Sequence, residues 1–409
     1  MTGLLVTTIA FAVIGLALCR VVGSTSPFLL GLGSLGMTLY VALLLHVPMI
    51  STLIVLAIAG IVLLLVKRPP SPRPTIDAAA LLMCLPLALL LFVTAVVPLH
   101  DFDGRAFWLL KAKAIATEHL VDGPFFHQQT TYDARNRYPL LVPLDAAAVM
   151  VASRDLDDQH VRWLYPMTLL GLAIHARKWI GAWPAALLPW IPQFAVTQDG
   201  GVTSAYNDVI VAAFAGCAFL ELVDRRSPLR FGLWLAFLTL TKSEGLPYAI
   251  VLVAAGVFIF GKRIAASLLP FTTAVLTLLI WRSRVPSGDE ENFIARLPLV
   301  SEKLDRLMPA ALGVMRHATR FDTWGLFWIA TIGAAIVLLI RRRGRDLILP
   351  AYILSTMLGI YLVAYAVSYW AVRDLVDQSA DRLLMQLVVP ALYVIGRTQA
   401  SMSATAASA

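Results

Sequence analysis

Apolar residues occur along this chain in long blocks rather than in alternation with polar ones. Blocks near 4–20, 28–46, 49–66, 77–98, 160–175, 182–197, 207–223, 229–241, 245–260, 264–283, 322–340, 347–369 and 381–397 are almost free of charge. Many approach the ~20 residues a helix needs to cross about 30 Å of hydrocarbon. The pattern predicts an all-α polytopic membrane protein of about thirteen transmembrane helices. The eighth block is short. Omitting it would move the later basic turns to the opposite side, so it is kept as a span.

The polar segments between the blocks fall into two kinds. Arg20, the group Lys67, Arg68 and Arg73, Arg177-Lys178, Arg225-Arg226 with Arg230, Lys262-Arg263, the run Arg341-Arg342-Arg343 with Arg345, and Arg397 all fall on one side. An excess of Lys and Arg in short loops marks the cytoplasmic side, which places the N-terminus outside and the C-terminus inside. The other side carries most of the acids and two long loops, 99–159 and 284–321. The chain then divides into N-terminal spans (1–98), an outer loop (99–159), central spans (160–283), a second outer loop (284–321), C-terminal spans (322–397) and a disordered cytoplasmic tail (398–409). Loops of this length are functional or disordered. The first contains Trp108, Phe125, Phe126, Tyr132 and Tyr138 and so has the means to pack. It reads as an interfacial helix from Gly104 to about His119, a turn at Asp122-Gly123-Pro124, and a second helix after Pro139.

Composition narrows the class. The chain has 409 residues, 59% hydrophobic and only 14% charged, against about 25% charged in soluble domains. Its formal net charge of +8 is explained by topology-setting loops and does not call for nucleic acid. Cys19, Cys84 and Cys217 all lie inside apolar blocks, so neither a disulfide framework nor a metal-ligand spacing is present. The first block has no basic leader or cleavage site and reads as a retained helix. Gly31-Leu32-Gly33-Ser34-Leu35-Gly36 has the spacing of a dinucleotide loop but no preceding strand, and that reading is rejected.

The candidate chemistry lies on the acidic side. Asp101 and Asp103 follow the fourth block, and in an extended segment residues two apart face one way. One could take a proton while the other holds a divalent cation such as Mg2+ or Mn2+. Asp103 would serve equally as a helix cap. Arg105, Lys111 and Lys113 follow as phosphate-binding or headgroup-seeking cations, with Trp108 as an anchor or a platform for substrate. Asn136-Arg137-Tyr138-Pro139 leads into an apolar helix. Gln198 and Asp199 flank an outer turn from which Asp208 opens another helix, as a dipole partner or a site residue. Lys242 and Glu244 interrupt an apolar stretch of about thirty residues, where charges must pair, meet water or bind a charged ligand. Asp374, Asp377, Ser379, Asp381, Arg382 and Gln386 sit at the outer end of the last block. Arg382 and Gln386 share a helix face, and a helix starting near Ser379 would aim its N-terminus at an anion.

In this order the elements resemble those of bacterial GT-C membrane glycosyltransferases, the polyprenyl-phosphate-sugar-dependent relatives of protein O-mannosyltransferases and of the lipid A aminoarabinose transferase. The matching elements are Asp103, Trp108 and Lys111-Ala112-Lys113-Ala114, then Tyr138 to Pro143, then Asp208, then Lys242, Glu244 and Gly245, then Ser379, Asp381, Arg382, Leu383, Leu384, Gln386 and Leu387. They span about residues 100–390. Two features depart from the family: Arg137 stands where an acid is expected, and four spans precede the acidic loop where one is usual.

The resemblance implies inverting transfer of a sugar from a polyprenyl-phosphate carrier to a glycolipid, glycan or protein at the outer face of the bacterial inner membrane. Asp103 would be general base, with Asp101 and Asp208 as supporting acids. Arg382, Lys242, Lys111 and Arg105 would take the donor phosphate, and Trp108, Tyr138, Glu244, Gln386 and Asp381 the remaining substrate contacts. A secondary transporter, a flippase for lipid-linked saccharides or a lipid-diphosphate-dependent ligase are the competing classes.

Overall fold

The computed structural model describes residues 2–24, 26–66, 77–128, 135–195, 200–287 and 292–406. Lys67, Arg68, Arg73, Tyr132, Gln198 and Asp199, named above, lie outside these residues. Every regular element among the described residues is a helix. The first four are α1 (Thr2–Val22), α2 (Pro27–Leu44), α3 (Met49–Val66) and α4 (Ala78–Val96). A π-helical segment, Gly104–Leu109, continues directly into α5 (Leu110–Glu118). Then come α6 (Pro124–His127), α7 (Leu141–Ser153), α8 (Leu164–Ile180), α9 (Ala182–Ala186) and α10 (Pro192–Ala195). The central bundle continues with α11 (Asp208–Asp224), α12 (Pro228–Thr241), α13 (Gly245–Phe260) and α14 (Ala265–Arg284). The chain ends with α15 (Phe293–Arg296), α16 (Leu307–Ala318), α17 (Phe321–Trp324), α18 (Phe327–Ile340), α19 (Arg345–Val367), α20 (Val372–Met385) and α21 (Val388–Ala406).

Five stretches are long and apolar enough to cross a membrane: Pro27–Leu44, Met49–Val66, Ala78–Val96, Gly245–Arg284 and Arg345–Val367. A sixth is added if the bent pair Val372–Met385 and Val388–Met402 counts as one. The stretch Gly245–Arg284 is two helices, because the chain reverses at Gly261 (φ +55°). Gly245 meets the backbone of Leu238 and Gly256 meets the ring of Phe231, so α13 runs back along α12, whereas Gly232 meets Ser267 at the start of α14.

Helix α11 is the hub. All but its last two residues are buried, and it packs against α8, α12, α13, α20 and α21. Helices α3 and α4 are the opposite case, with Ile54, Ile58, Val62, Leu81, Leu85 and Phe92 exposed and apolar. An apolar face of that extent suits lipid rather than water.

Some expected elements differ. The block 182–197 is not one helix but α9, a 3-10 turn Leu188–Trp190 and α10, because Pro184, Pro189 and Pro192 each remove a backbone donor. The segment 398–406, expected as a disordered tail, is the continuation of α21. Ser401 there is buried and its carbonyl accepts from Arg341 Nη1 at 3.2 Å.

The basic turns are tied to one another. Arg230 donates to the carbonyls of Val22 and Gly23 and to Glu221 and Asp224. Arg263 donates to Arg226 O, Arg177 pairs with Asp77, and Arg397 pairs with Asp346. The acidic group described next lies at the opposite ends of the same helices.

Candidate functional site

Four segments far apart in sequence deliver charge to one place. Arg382, near the C-terminal end of α20, donates from Nη1 to Asp103 Oδ2 at 2.8 Å. The ring of Tyr206 lies 5.2 Å from the guanidinium, and the Tyr206 hydroxyl accepts from the Asp103 backbone N–H at 3.2 Å. The stem of Arg382 is braced by Gly200, where a Cβ would come within 2.6 Å of Arg382 Cγ. Gly200 also has φ +93°, so the sequence needs glycine here for both conformation and space.

A second ion pair stands behind the first. Lys242 sits where α12 ends and α13 has yet to begin, and its Nζ meets Asp208 Oδ1 at 2.9 Å and Glu244 Oε1 at 3.2 Å. Burial alone would depress the ammonium, but the two carboxylates hold it above its ordinary value. Gln386 Nε2 also donates to Asp208 Oδ1, at 3.2 Å. The amide is held from its other side by the Tyr361 hydroxyl, which donates to Gln386 Oε1 at 2.8 Å. Arg382 lies within electrostatic reach of Asp208 as well as Asp103.

The break between α20 and α21 makes this arrangement possible. The two helices meet at 46° at Gln386-Leu387, and this bend aims Gln386 and Arg382 at different acids. The helix was expected to start near Ser379. It starts at Val372, so Ser379 is mid-helix and offers no N-terminal dipole; its Oγ instead donates to Leu375 O and meets the Tyr365 hydroxyl at 3.0 Å.

The Asp-x-Asp pair separates. The chain is already helical at Phe102, and Asp103 has φ −62° and ψ −36°. Residues two apart in a helix point in different directions, so the extended geometry expected for the pair does not occur. Asp103 faces Arg382 and makes no side-chain cap. Asp101 acts instead on Arg162, a buried guanidinium that donates to Val97 O and, at 2.7 Å, to Thr203 O. Asp103 shares Oδ2 with Arg382, and Asp101 acts on Arg162, so the two carboxylates are engaged by different cations. No group of three or more metal-ligating side chains occurs among the described residues.

Trp108 and Lys111 are interior rather than interfacial. Both are fully buried. Lys111 Nζ donates to Arg135 O at 2.6 Å and lies 5.4 Å from the Trp108 ring and 5.5 Å from the Tyr138 ring. The ammonium is thus engaged by a backbone carbonyl and lies beside two π faces. Lys113 pairs with Asp158 at 2.9 Å. Arg105 is exposed and joins no ion pair among the described residues. Tyr138 belongs to the site. Burial pushes its phenol up to about 12, and the Glu244 carboxylate adds to the effect, so the hydroxyl remains a donor. Arg137, the departure noted above, is a clamp: it donates to Val285 O and Arg282 O, both at 3.0 Å.

Asp381 is not part of this group. It accepts from Trp324 Nε1 at 3.0 Å and Arg320 Nη1 at 3.2 Å, and it meets His317 Nδ1 at 2.8 Å. The other nitrogen of His317 meets Asp377 at 3.1 Å, and Arg316 pairs with Asp377 as well. This knot fastens α16 and α17 to α20 and so fixes the helix that carries Arg382. The residue following it, Arg382, faces the opposite way.

Tyr206, Tyr361, Tyr365 and Arg162 were not expected as site residues. Tyr206 was detectable from its place two residues before Asp208. The two tyrosines of α19 sit in an apolar helix four residues apart, and nothing local distinguishes them from core.

The site is thus a group of three carboxylates (Asp103, Asp208, Glu244) and two cations (Lys242, Arg382), with Asp208 and Lys242 buried and Asp103, Glu244 and Arg382 part-exposed, at the acidic ends of an all-helical bundle with several apolar helices able to span a membrane. Comparison with family models, with curated proteins and with solved structures found no match.

Proposed function

We propose that this protein is a polytopic membrane glycosyltransferase of the GT-C type, with about thirteen spans in a bacterial inner membrane and its site facing outward. It moves a sugar from a polyprenyl-phosphate carrier to a glycolipid, glycan or protein. The reading rests on one observation: Asp103, Asp208, Lys242, Arg382 and Gln386, drawn from four segments, form two adjacent hydrogen-bonded sets, Arg382 with Asp103 and Lys242 and Gln386 with Asp208, with Arg382 within electrostatic reach of both acids. These residues carry the sequence resemblance, and their spacing along the chain gave no assurance that they would meet.

The chemistry suits the proposal. Inverting transfer needs a carboxylate to take the acceptor's hydroxyl proton while the carrier phosphate departs from the anomeric carbon. The departing phosphate gains charge, and a preorganised guanidinium stabilises it. Arg382 serves here because Arg binds phosphate with a planar fork and its Nε is buried without a partner among the described residues. Lys242, fixed between two acids, sets the local potential rather than reaching the lipid. A transporter would hold its charges near the bilayer midplane on broken helices. Here they sit at helix ends, together with the outer loops.

Native mass spectrometry of the full-length protein with undecaprenyl phosphate tests the donor side. Binding that weakens tenfold or more in Arg382→Ala supports the proposal. Equal binding by wild type and Arg382→Ala removes Arg382 as the phosphate residue.

A further inference from the structure

The buried group is not electrically balanced. Asp103, Asp208 and Glu244 bring three negative charges, and Lys242 and Arg382 bring two positive ones. Each cation has a principal acid: Arg382 bonds Asp103 at 2.8 Å and Lys242 bonds Asp208 at 2.9 Å. Glu244 is left with only the longer contact to Lys242, at 3.2 Å. Its second oxygen, Oε2, is buried and accepts no hydrogen bond among the described residues. Asp208 Oδ2 is likewise unpartnered, on a side chain that is 1% exposed. An acceptor oxygen left unmet in such a place costs free energy, and a proton arriving there removes the third, uncompensated charge.

We infer that Glu244, rather than Asp103, receives the proton of the acceptor hydroxyl. This rests on the transferase reading above. Asp103 is already engaged: its charge is bound to Arg382, and to act as base it would have to release the guanidinium that the departing phosphate requires. Glu244 has no such conflict. Its side chain is 30% exposed, which gives it access to a ligand, and the terminal torsion of a Glu is broad and two-fold, so either oxygen can be presented. Lys242 stays on the carboxyl through the step and keeps it in place. In that step the acceptor O–H breaks and its proton passes to a Glu244 carboxylate oxygen. The freed electron pair forms the bond to the anomeric carbon. The anomeric C–O bond to phosphate breaks, and its electrons leave with the lipid phosphate, opposite Arg382. Asp103 is then a positioning residue that orients the guanidinium.

The test uses membranes from a strain lacking the endogenous gene and expressing the full chain, with glycan and glycolipid products formed from endogenous donor read by mass spectrometry. Glu244→Gln keeps the shape and a hydrogen-bonding oxygen for Lys242 but cannot take the proton, and product should fall by about 10²- to 10⁴-fold. Glu244→Ala should fall as far and recover tenfold or more on adding sodium formate, a small carboxylate that fills the gap. Arg382→Ala should gain nothing from formate, and Asp103→Asn should retain more product than Glu244→Gln. If Glu244→Gln keeps more than a tenth of wild-type product while Asp103→Asn loses it, the proton goes to Asp103 and the inference is overturned. It is overturned equally if formate fails to rescue a folded Glu244→Ala, judged by an unchanged gel-filtration profile. Loss of the gene without any change in envelope products would instead remove the transferase reading, and this inference with it.

Discussion

Replacing Lys242 with Met is the most informative single perturbation of the buried group. The ammonium lies 2.9 Å from Asp208 Oδ1. Two unit charges at that separation attract by about 6 kcal/mol at an effective dielectric of ~20, before the desolvation that offsets most of it. Methionine has similar length and no charge, so it fills the space but leaves Asp208, 1% exposed, with a charge that only Gln386 and the more distant Arg382 can answer. Breaking a buried pair from one side costs about 3–5 kcal/mol. Asp208→Asn is milder, about 1–2 kcal/mol, because Gln386 can still donate to the new amide oxygen and Lys242 keeps Glu244. The double variant carries no stranded charge at position 208 and should cost about 2 kcal/mol, well below the sum of the two single changes. The resulting coupling of about 3 kcal/mol is large for one pair. Denaturant unfolding of the purified protein in detergent, followed by tryptophan fluorescence, measures all four corners of the cycle. Single-variant costs that add to within about 0.5 kcal/mol would show that Lys242 and Asp208 are not interdependent and would refute the buried-pair account.

Other consequences can be checked separately. Gly200→Ala forces a Cβ to within 2.6 Å of Arg382 Cγ at a φ of +93°, and it should lower undecaprenyl phosphate binding, read by native mass spectrometry, in the direction expected of Arg382→Ala. Lys111→Met should leave that binding within twofold of wild type while lowering stability by about 1–3 kcal/mol through the stranded Arg135 carbonyl. Asp381→Asn should loosen α16 and α17, seen as faster hydrogen exchange across residues 307–324, since it weakens contacts with His317, Arg320 and Trp324. Met308, Leu312 and Met315 are exposed along one side of α16 and Val314 packs inward, and brominated lipids should quench a tryptophan placed at 312 more strongly than one placed at 314.

The sequence patterning located the long apolar helices, because hydrophobic blocks and the polar breaks between them are local properties, but not α16 or the start of α20, which are amphipathic. The break at 242–244 and the helix starting at Asp208 were legible for the same reason: a charge in an apolar run is conspicuous. Several of the failures are questions of direction. Asp101 and Asp103 were expected on one side because the segment reads as extended, but helix begins at Phe102 and turns them apart. Trp108 and Lys111 had the composition of an interfacial helix. Trp108 lies in the π-helical segment and Lys111 in the helix that continues it, and tertiary contacts, among them the Tyr138 ring and the Arg135 carbonyl, bury both. Asp381 and Arg382 are adjacent, and nothing local says that one faces the knot on His317 and the other the site. That choice is made by α16 and α17, some sixty residues away. The proline-broken segment 182–197 was readable in principle, since Pro184, Pro189 and Pro192 lie within it, but its mean hydropathy conceals them.

The most direct test of the central claim is mass spectrometry of envelope glycans and glycolipids from a strain lacking this protein, complemented with wild type, Arg382→Ala or Glu244→Gln. The account predicts that one sugar modification disappears in the deletion, returns with wild type, and stays absent with either variant while the polyprenyl-phosphate sugar accumulates. An unchanged set of glycans and glycolipids in the deletion strain, with wild-type protein present and folded in the complemented control, would contradict it.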